Sequence, residues 1–179
     1  MSTLRNLKKL FKHLPPGWLT FDETRLLWHT TEDTTGPILE VGSYYGRSTV
    51  LLAHTGRVIY AVDPFSDFDT GDPGGDKIEA GFLENTKRFN NIFLFRQKIE
   101  DWKTRKVGFA YLDGDHTYQG TKNQIEVALA CHAEVIAIHD VNDTGGGTEV
   151  KRAALEYFPK GWERRVGRLA VFRVLTESN

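Results

Sequence analysis

The sequence predicts an α/β fold with an open, mostly parallel sheet, helices on both faces and a C-terminal antiparallel hairpin. Three observations predict it. Short apolar, β-branched runs alternate with amphipathic helical stretches, which is the pattern of a parallel sheet covered by helices. The first of these runs ends in a glycine-containing turn. Near the C-terminus, two further runs are separated by only two residues, Gly167 and Arg168, which is typical of a hairpin.

Five runs are apolar on both faces, as expected for strands that helices cover on both sides. They are residues 38–41, 58–62, 92–95, 107–112 and 135–138. The predicted helices are residues 48–54, 78–89, 118–130 and 148–157, and the hairpin pairs residues 162–166 with 169–175. Because ligands of such sheets bind beyond the carboxyl ends of the strands, we expect functional residues directly after each strand.

Two helices are predicted ahead of the sheet. Leucines and Phe11 at helical spacing form the first, and the spacing of Thr20 and Glu23 is that of a capping box that begins the second. We therefore expect an N-terminal helical cap, residues 1–36, on a domain of residues 37–179, the two forming one compact unit.

The composition argues against several classes of protein. The 179 residues have a formal net charge of −1, which disfavours general nucleic-acid binding. No apolar run reaches the roughly 18 residues of a membrane span, and the N-terminus lacks the apolar core of a signal peptide. The single cysteine, Cys131, follows an apolar run and is predicted to be buried and inert. A cytoplasmic location is the expectation.

The turn after the first predicted strand is the main candidate for a ligand site. Gly42 and Gly46 allow the backbone to approach a ligand closely, and the predicted helix start that follows suits a carboxylate. The spacing differs from the G-x-G-x-x-G of dinucleotide sites, since Tyr44 takes the place of the middle glycine. NAD is therefore disfavoured, while an ordinary strand-to-helix turn stays open as the alternative.

Polar residues around this turn complete the predicted cofactor site. Glu40 offers an acceptor for a cationic ligand, and Ser43 and Ser48 offer hydroxyl groups. Asp63 ends the second predicted strand about 20 residues after the turn, where a carboxylate accepts ribose hydroxyls; the alternative is a solvated loop aspartate. Lys98 follows the third strand and is placed to flank an adenine ring.

Four segments together resemble the class I S-adenosylmethionine-dependent methyltransferases. They are the E-V-G-x-x-x-G-x-S turn, Asp63-Pro64, residues 82–85 and the D-G-D-H-T-Y motif that begins at Asp113. More narrowly, these segments resemble the small family related to macrocin and other sugar O-methyltransferases, and more distantly catechol O-methyltransferase. Over about residues 20–174, the resemblance implies a Rossmann-like fold, S-adenosylmethionine as cofactor and methyl transfer to an oxygen of a small molecule, a sugar hydroxyl among the candidates.

Carboxylates follow the fourth and fifth predicted strands, and they are expected to meet in one cleft. They belong to Asp113 and Asp140, and oxygen ligands of this kind suit Mg²⁺. The resemblance implies a divalent cation held by Asp113, which is also a cofactor contact, by Asp140 and by the residue after Asp140. That residue is Val141, which cannot bind a metal, so the sequence leaves metal dependence open.

Asp115 and His116 are the candidate catalytic bases. A histidine with a pKa of about 6.5 accepts a proton at neutral pH, so His116 is preferred; the alternatives are Asp115 as the base and a structural role for His116. His139 precedes Asp140, and strand alternation predicts that it faces away and is structural.

A methyltransferase is the leading prediction, with two alternatives. The first alternative is an inactive cofactor-binding partner subunit, and the presence of Val141 at a metal-ligand position of the family suggests it. The second is a metal-dependent hydrolase or sugar-nucleotide enzyme that uses the same acidic residues. About 36 residues precede the first strand, so we expect a cleft that is open or is completed by a second subunit, as in a homodimer.

Overall fold

One open sheet organises the structure, a computed structural model that describes residues 4–66 and 74–174. In the described residues the sheet order is β3-β2-β1-β4-β5-β7-β6. The first five strands run parallel, and β7 is antiparallel to both β5 and β6. The strands are β1 (Ile38–Val41), β2 (Ile59–Val62), β3 (Ile92–Phe95), β4 (Phe109–Leu112), β5 (Val135–Ile138), β6 (Arg164–Val166) and β7 (Leu169–Arg173). The predicted parallel sheet and terminal hairpin are confirmed.

Helices cover both faces of this sheet. The described helices are α1 (Leu4–Phe11), α2 (Phe21–Glu32), α3 (Arg47–Ala53), α4 (Gly75–Thr86), α5 (Tyr118–Ala130) and α6 (Gly147–Tyr157), with a 3₁₀ turn at Ile99–Asp101. On one face, the first three pack with Ile38 of β1, while α5 and α6 pack with Leu39 on the other. Alternate residues of one strand thus face two separate cores, as predicted from strands that are apolar on both sides. None of the described helices has the length and apolar character needed to cross a membrane.

Some element bounds differ from the prediction for local reasons. Strand β4 begins at Phe109 instead of 107. Gly108 precedes it at a close approach of two chain segments, where an added Cβ would lie 1.7 Å from the carbonyl oxygen of Thr35. Helix α4 begins and ends three residues before the predicted 78–89. Leu175, the predicted end of the last strand, lies outside the described residues.

The N-terminal helices share their core with the sheet. Leu7 and Leu10 of α1 and Leu27 of α2 are buried in the same cluster as Ile38 and Leu51. The capping box is present: the Thr20 side chain accepts from the backbone of Glu23, and the Glu23 side chain accepts from the backbone of Thr20.

Candidate active site

A cavity of about 770 Å³ opens at the carboxyl edge of the parallel strands. Its volume lies in the range of ligand pockets, roughly 300–1,000 Å³. Residues that follow five different strands line it, which is the placement expected for an open α/β sheet. The predicted site residues in its lining are Gly42, Ser43, Ser48, Asp63, Lys98, Asp113, Asp115, His116 and Asp140.

The turn after β1 depends on its glycine. Gly42 has a φ of 82°, and a Cβ at this position would lie 2.2 Å from the carbonyl oxygen of Asp113. The turn therefore packs directly on the end of β4, which brings the first and fourth strand tips to the same cavity. Gly46 also has a positive φ and precedes α3, but it lies outside the cavity lining.

Asp63 holds this turn in place. One carboxylate oxygen accepts from the amides of Ser43, at 2.7 Å, and Tyr44, at 2.9 Å. The other accepts from the amide of Phe65 at 2.7 Å, and Asp63 is 2% exposed. A carboxylate has about four acceptor positions, so these bonds leave room for a further donor such as a ribose hydroxyl. Asp63 thus positions the turn, a role that sequence spacing did not predict.

Glu40 lies beneath the turn and outside the cavity lining. It is fully buried, and its carboxylate accepts from the hydroxyl groups of Ser43, at 3.2 Å, and Thr49, at 2.5 Å. Burial raises the pKa of Glu40 to about 7. Its Oε1 makes no hydrogen bond, and the predicted contact with a cationic ligand stays a prediction. Through Ser43 and Thr49, Glu40 also supports the turn.

Two carboxylates and two imidazoles meet at the other side of the cavity. The Oδ1 atom of Asp113 lies 3.4 Å from Nε2 of His116 and 3.2 Å from Nδ1 of His139. The Oδ2 atom of Asp140 lies 3.5 Å and 3.4 Å from the same two nitrogens. The prediction that the tips of β4 and β5 bring Asp113 and Asp140 into one cleft is confirmed.

The prediction that the His139 side chain faces away from Asp140 is wrong. Strand alternation would turn it away from Asp140, but Asp140 has a φ of 55°, so the chain leaves the extended conformation where β5 ends. Both side chains therefore face the cleft. His139 is 2% exposed, and its Nε2 lies 3.7 Å from Oε2 of Glu23 on α2.

Two further residues of this cluster were missed. The guanidinium of Arg168, in the β6–β7 turn, lies 2.7 Å from Oδ1 of Asp140. The backbone amide of Arg168 donates to Oε1 of Glu23 at 2.8 Å. The capping box pointed to Glu23 only as part of a helix start, and no sequence signal distinguished Arg168 from an ordinary turn arginine.

The carboxylates and imidazoles of the cluster shift each other's pKa. Burial lowers the pKa of His139, but the surrounding carboxylates of Asp113, Asp140 and Glu23 outweigh it and raise that pKa to about 12. Burial raises the pKa of Asp113, but the contacts with His139 and His116 outweigh burial and hold that pKa below its usual range. The contact with Asp113 raises the pKa of His116.

Val141 and Asp115 have structural roles around this cluster. Val141 is fully buried and its amide donates to the carbonyl of Arg168, so it is part of the core. Asp115 accepts from the amide of Thr117 at 2.8 Å, next to the start of α5. His116, with 44% of its side chain exposed, faces the cleft, and its side-chain contacts there are with the carboxylates of Asp113 and Asp140.

Comparison with known families decides the class of protein. Residues 39–141, more than half of the chain, match a family model described as a methyltransferase domain. The chain belongs to this methyltransferase family. The matched region of the methyltransferase runs from β1 to the residue after Asp140, and so contains both sides of the cavity except Arg168 and the N-terminal segment.

Solved structures share the fold of this methyltransferase. One is the TDP-rhamnose 3′-O-methyltransferase CalS11 of calicheamicin biosynthesis, with 17% identity, a TM-score of 0.59, and coverage of 94% of this chain and 91% of that one. Another is an O-methyltransferase from Bacillus cereus in complex with S-adenosylhomocysteine, with 18% identity, a TM-score of 0.56 and coverage of 89% and 80%. A third, from Streptococcus mutans, is a putative methyltransferase also in complex with S-adenosylhomocysteine, with 14% identity, a TM-score of 0.60 and coverage of 82% and 93%. The predicted Rossmann-like fold class is confirmed.

Proposed function

We propose that this methyltransferase transfers the methyl group of S-adenosylmethionine to an oxygen of a small molecule. The observation that carries the proposal is one cavity with the turn and Asp63 on one side and His116 between two carboxylates on the other. The names of the similar structures support oxygen as the acceptor atom, and CalS11 makes a sugar hydroxyl the first acceptor to test. Neither an inactive partner subunit nor a hydrolase is favoured, because the family match and the cavity with its histidine both fit methyl transfer.

The cofactor is proposed to lie across the strand tips. Lys98 borders the adenine end, Asp63 is within the wall where the ribose would lie, and the turn with Ser43 and Ser48 borders the amino-acid end. Asp113 then lies where the cofactor meets the acceptor. This order follows the strand order β3-β2-β1-β4, so the methyl group would face His116 and Asp140.

His116 is the proposed base. It would take the proton of the acceptor hydroxyl while the oxygen attacks the methyl carbon and the carbon–sulfur bond breaks, which leaves S-adenosylhomocysteine. Asp115 is less suited because its carboxylate already accepts from the amide of Thr117. Since the attack is in line, correct placement of the two substrates supplies much of the rate.

Asp113 and Asp140 provide the carboxylate oxygens that a divalent cation such as Mg²⁺ prefers. When bound, such an ion lowers the pKa of a hydroxyl that it contacts. In the protein itself, the guanidinium of Arg168 orients Asp140 and the hydroxyl of Tyr111 orients Asp113. These contacts keep the two carboxylates turned toward each other.

The proposed partner is a small-molecule acceptor, and a cytoplasmic location and a homodimer belong to the same proposal. The buried state of the lone cysteine, Cys131, is compatible with a reducing compartment. Trp18 lines the cavity and is 63% exposed, so the cleft is open on this side, where a second subunit would cover it.

The test is calorimetric binding of S-adenosylhomocysteine, followed by methyl transfer to sugar and phenol acceptors with product detection by mass spectrometry. We expect binding, and a loss of turnover of about 10²–10⁴-fold in His116→Ala with unchanged cofactor affinity. His13→Ala, which removes an exposed imidazole outside the cluster, is the control. Absence of binding at millimolar ligand would contradict the proposal.

A further inference from the structure

We propose that His139 is a metal ligand, and that with Asp113 and Asp140 it forms a site for a divalent transition-metal ion in preference to Mg²⁺. The inference deepens the proposed function, because this ion would lie in the same cleft. It rests on the arrangement of three side chains and on the groups that orient each of them.

The ligand atoms converge on one point. One atom each from Asp113, His139 and Asp140 lie within 4.8 Å of one another. The Nδ1 atom of His139 is 3.2 Å from one carboxylate and 3.4 Å from the other, yet it makes no hydrogen bond to either, although the residue is only 2% exposed. A buried nitrogen that lies between two oxygens and is bonded to neither is directed at the space between them, where an ion would satisfy it.

The remaining polar atoms of the three residues already face other groups. The second oxygen of Asp113 accepts from the hydroxyl of Tyr111 at 2.8 Å. The second oxygen of Asp140 lies 2.7 Å from the guanidinium of Arg168. Each carboxylate therefore directs one oxygen at the shared point, which Nε2 of His116 also borders, at 3.4 Å and 3.5 Å from these two oxygens.

Glu23 gives His139 the surroundings of a metal-bound histidine. A histidine that binds a metal through one nitrogen usually donates its other N–H to a carboxylate or carbonyl. Here the Nε2 of His139 lies 3.7 Å from the carboxylate of Glu23, near it but beyond hydrogen-bond distance, while Nδ1 faces the shared point. Glu23 is itself fixed by the amides of Thr20 and Arg168.

The donor set selects the class of ion. Mg²⁺ prefers oxygen ligands in octahedral geometry, and His139 takes one position with nitrogen. Imidazole nitrogen suits transition-metal ions such as Zn²⁺, Fe²⁺ and Ni²⁺, and the general affinity of such ions rises from Fe²⁺ through Co²⁺ to Ni²⁺. Binding requires a neutral imidazole, so the ion takes the place of a proton of His139, which is released.

The test uses the full chain, stripped of metal with a chelator and titrated separately with Co²⁺ and Mg²⁺. Calorimetry gives both affinities, and the visible absorption of Co²⁺ reports its ligands. We expect tighter binding of Co²⁺ than of Mg²⁺, and a loss of Co²⁺ affinity of more than ~10-fold in His139→Asn with little change for Mg²⁺. His132→Asn, which alters an exposed histidine, is the matched control.

A milder variant and a measurement on the wild type test the inference even if His139→Asn does not fold. Glu23→Gln keeps the capping-box chemistry and is expected to lower Co²⁺ affinity about 10–100-fold. In the wild-type protein, Zn²⁺ should shift the nitrogen-15 resonance of His139 Nδ1 more than that of Nε2. Equal affinities for Co²⁺ and Mg²⁺, or Co²⁺ binding that is unchanged in both variants, would overturn the inference. Loss of S-adenosylhomocysteine binding would instead count against the proposed function, so the two failures are distinct.

Discussion

At the scale of the residue, two buried carboxylates support the turn after β1 in different ways. Asp63 accepts three backbone amides, whereas Glu40 accepts two hydroxyl groups from beneath the turn. The amides fix the path of the chain, and the hydroxyls fix the side chains of Ser43 and Thr49. Each carboxylate leads to a separate prediction.

Asp63→Asn should weaken both the fold and cofactor binding. The backbone N–H groups of Ser43 and Tyr44 would then donate to a neutral side-chain amide instead of a carboxylate. Hydrogen bonds to charged groups contribute about 1.5–3 kcal/mol each. We expect a loss of free energy of unfolding of that order, measured with urea, together with lower affinity for S-adenosylhomocysteine. Asp76→Asn, whose side chain is 97% exposed, is the control. Weaker cofactor binding at unchanged stability would show that Asp63 contacts the ribose without supporting the turn.

Glu40 should make stability depend on pH. Burial raises its pKa in the folded state to about 7 from 4.5, so the folded state holds the proton more tightly than the unfolded state. The stabilisation from this proton is complete below pH 4.5. It is lost as the pH rises from 4.5 to about 7, at up to about 1.4 kcal/mol per pH unit. Urea unfolding between pH 4.5 and about 7 should show that the free energy of unfolding of Glu40→Gln increases relative to that of the wild type as the pH rises. Parallel curves for the two proteins would contradict the role of Glu40.

At the scale of the element, one arginine ties the N-terminal segment to α3, which follows the turn after β1. Arg47, the first residue of α3, donates to the carbonyls of Pro15, at 2.7 Å, and Leu19, at 3.2 Å. Trp18 lies between these two anchors and lines the cavity, where its ring is 4.8 Å from that of Tyr44. Helix α3 therefore holds the part of the cavity wall that is formed by the residues before α2.

Arg47→Met should loosen this segment. Two carbonyls lose their donor, which costs about 1–3 kcal/mol of unfolding free energy in buried surroundings. We also expect a higher KM for the acceptor at unchanged affinity for S-adenosylhomocysteine, because Trp18 is no longer held. Arg25→Met is the control, since Arg25 makes an exposed pair with Asp22 that contributes at most about 1 kcal/mol. An unchanged KM in Arg47→Met would exclude Trp18 from the acceptor site.

At the scale of the whole molecule, the cluster of carboxylates and imidazoles around Asp113 and Asp140 is assembled from distant parts of the chain. Glu23 belongs to α2, Asp113 and His116 follow β4, Asp140 follows β5, and Arg168 belongs to the terminal hairpin. Glu23 and Arg168 are 145 residues apart in sequence. Because unfolding of either terminal segment would dismantle this cluster, binding in the cleft should stabilise the whole fold.

Cofactor binding should therefore raise the midpoint of thermal unfolding. A ligand present at 100 times its Kd stabilises the folded state by about 2.7 kcal/mol, which is about 5–11 °C for a chain of this size. The check is a thermal unfolding series with increasing S-adenosylhomocysteine. A midpoint that does not depend on ligand concentration would mean that the cleft does not bind it.

The features that depend on local patterns are predictable from the sequence. Apolar runs predict strands, glycines predict the turn, and residues after a strand lie at its tip, so these patterns alone predict that Gly42, Asp113 and Asp140 share one cleft. That His139 and Asp140 face the same cleft follows from tertiary structure, because strand alternation stops where Asp140 takes a positive φ. The tertiary structure also decided that Glu23 and Arg168 belong to the same cluster, since such contacts depend on how α2 and the hairpin pack against the strand tips.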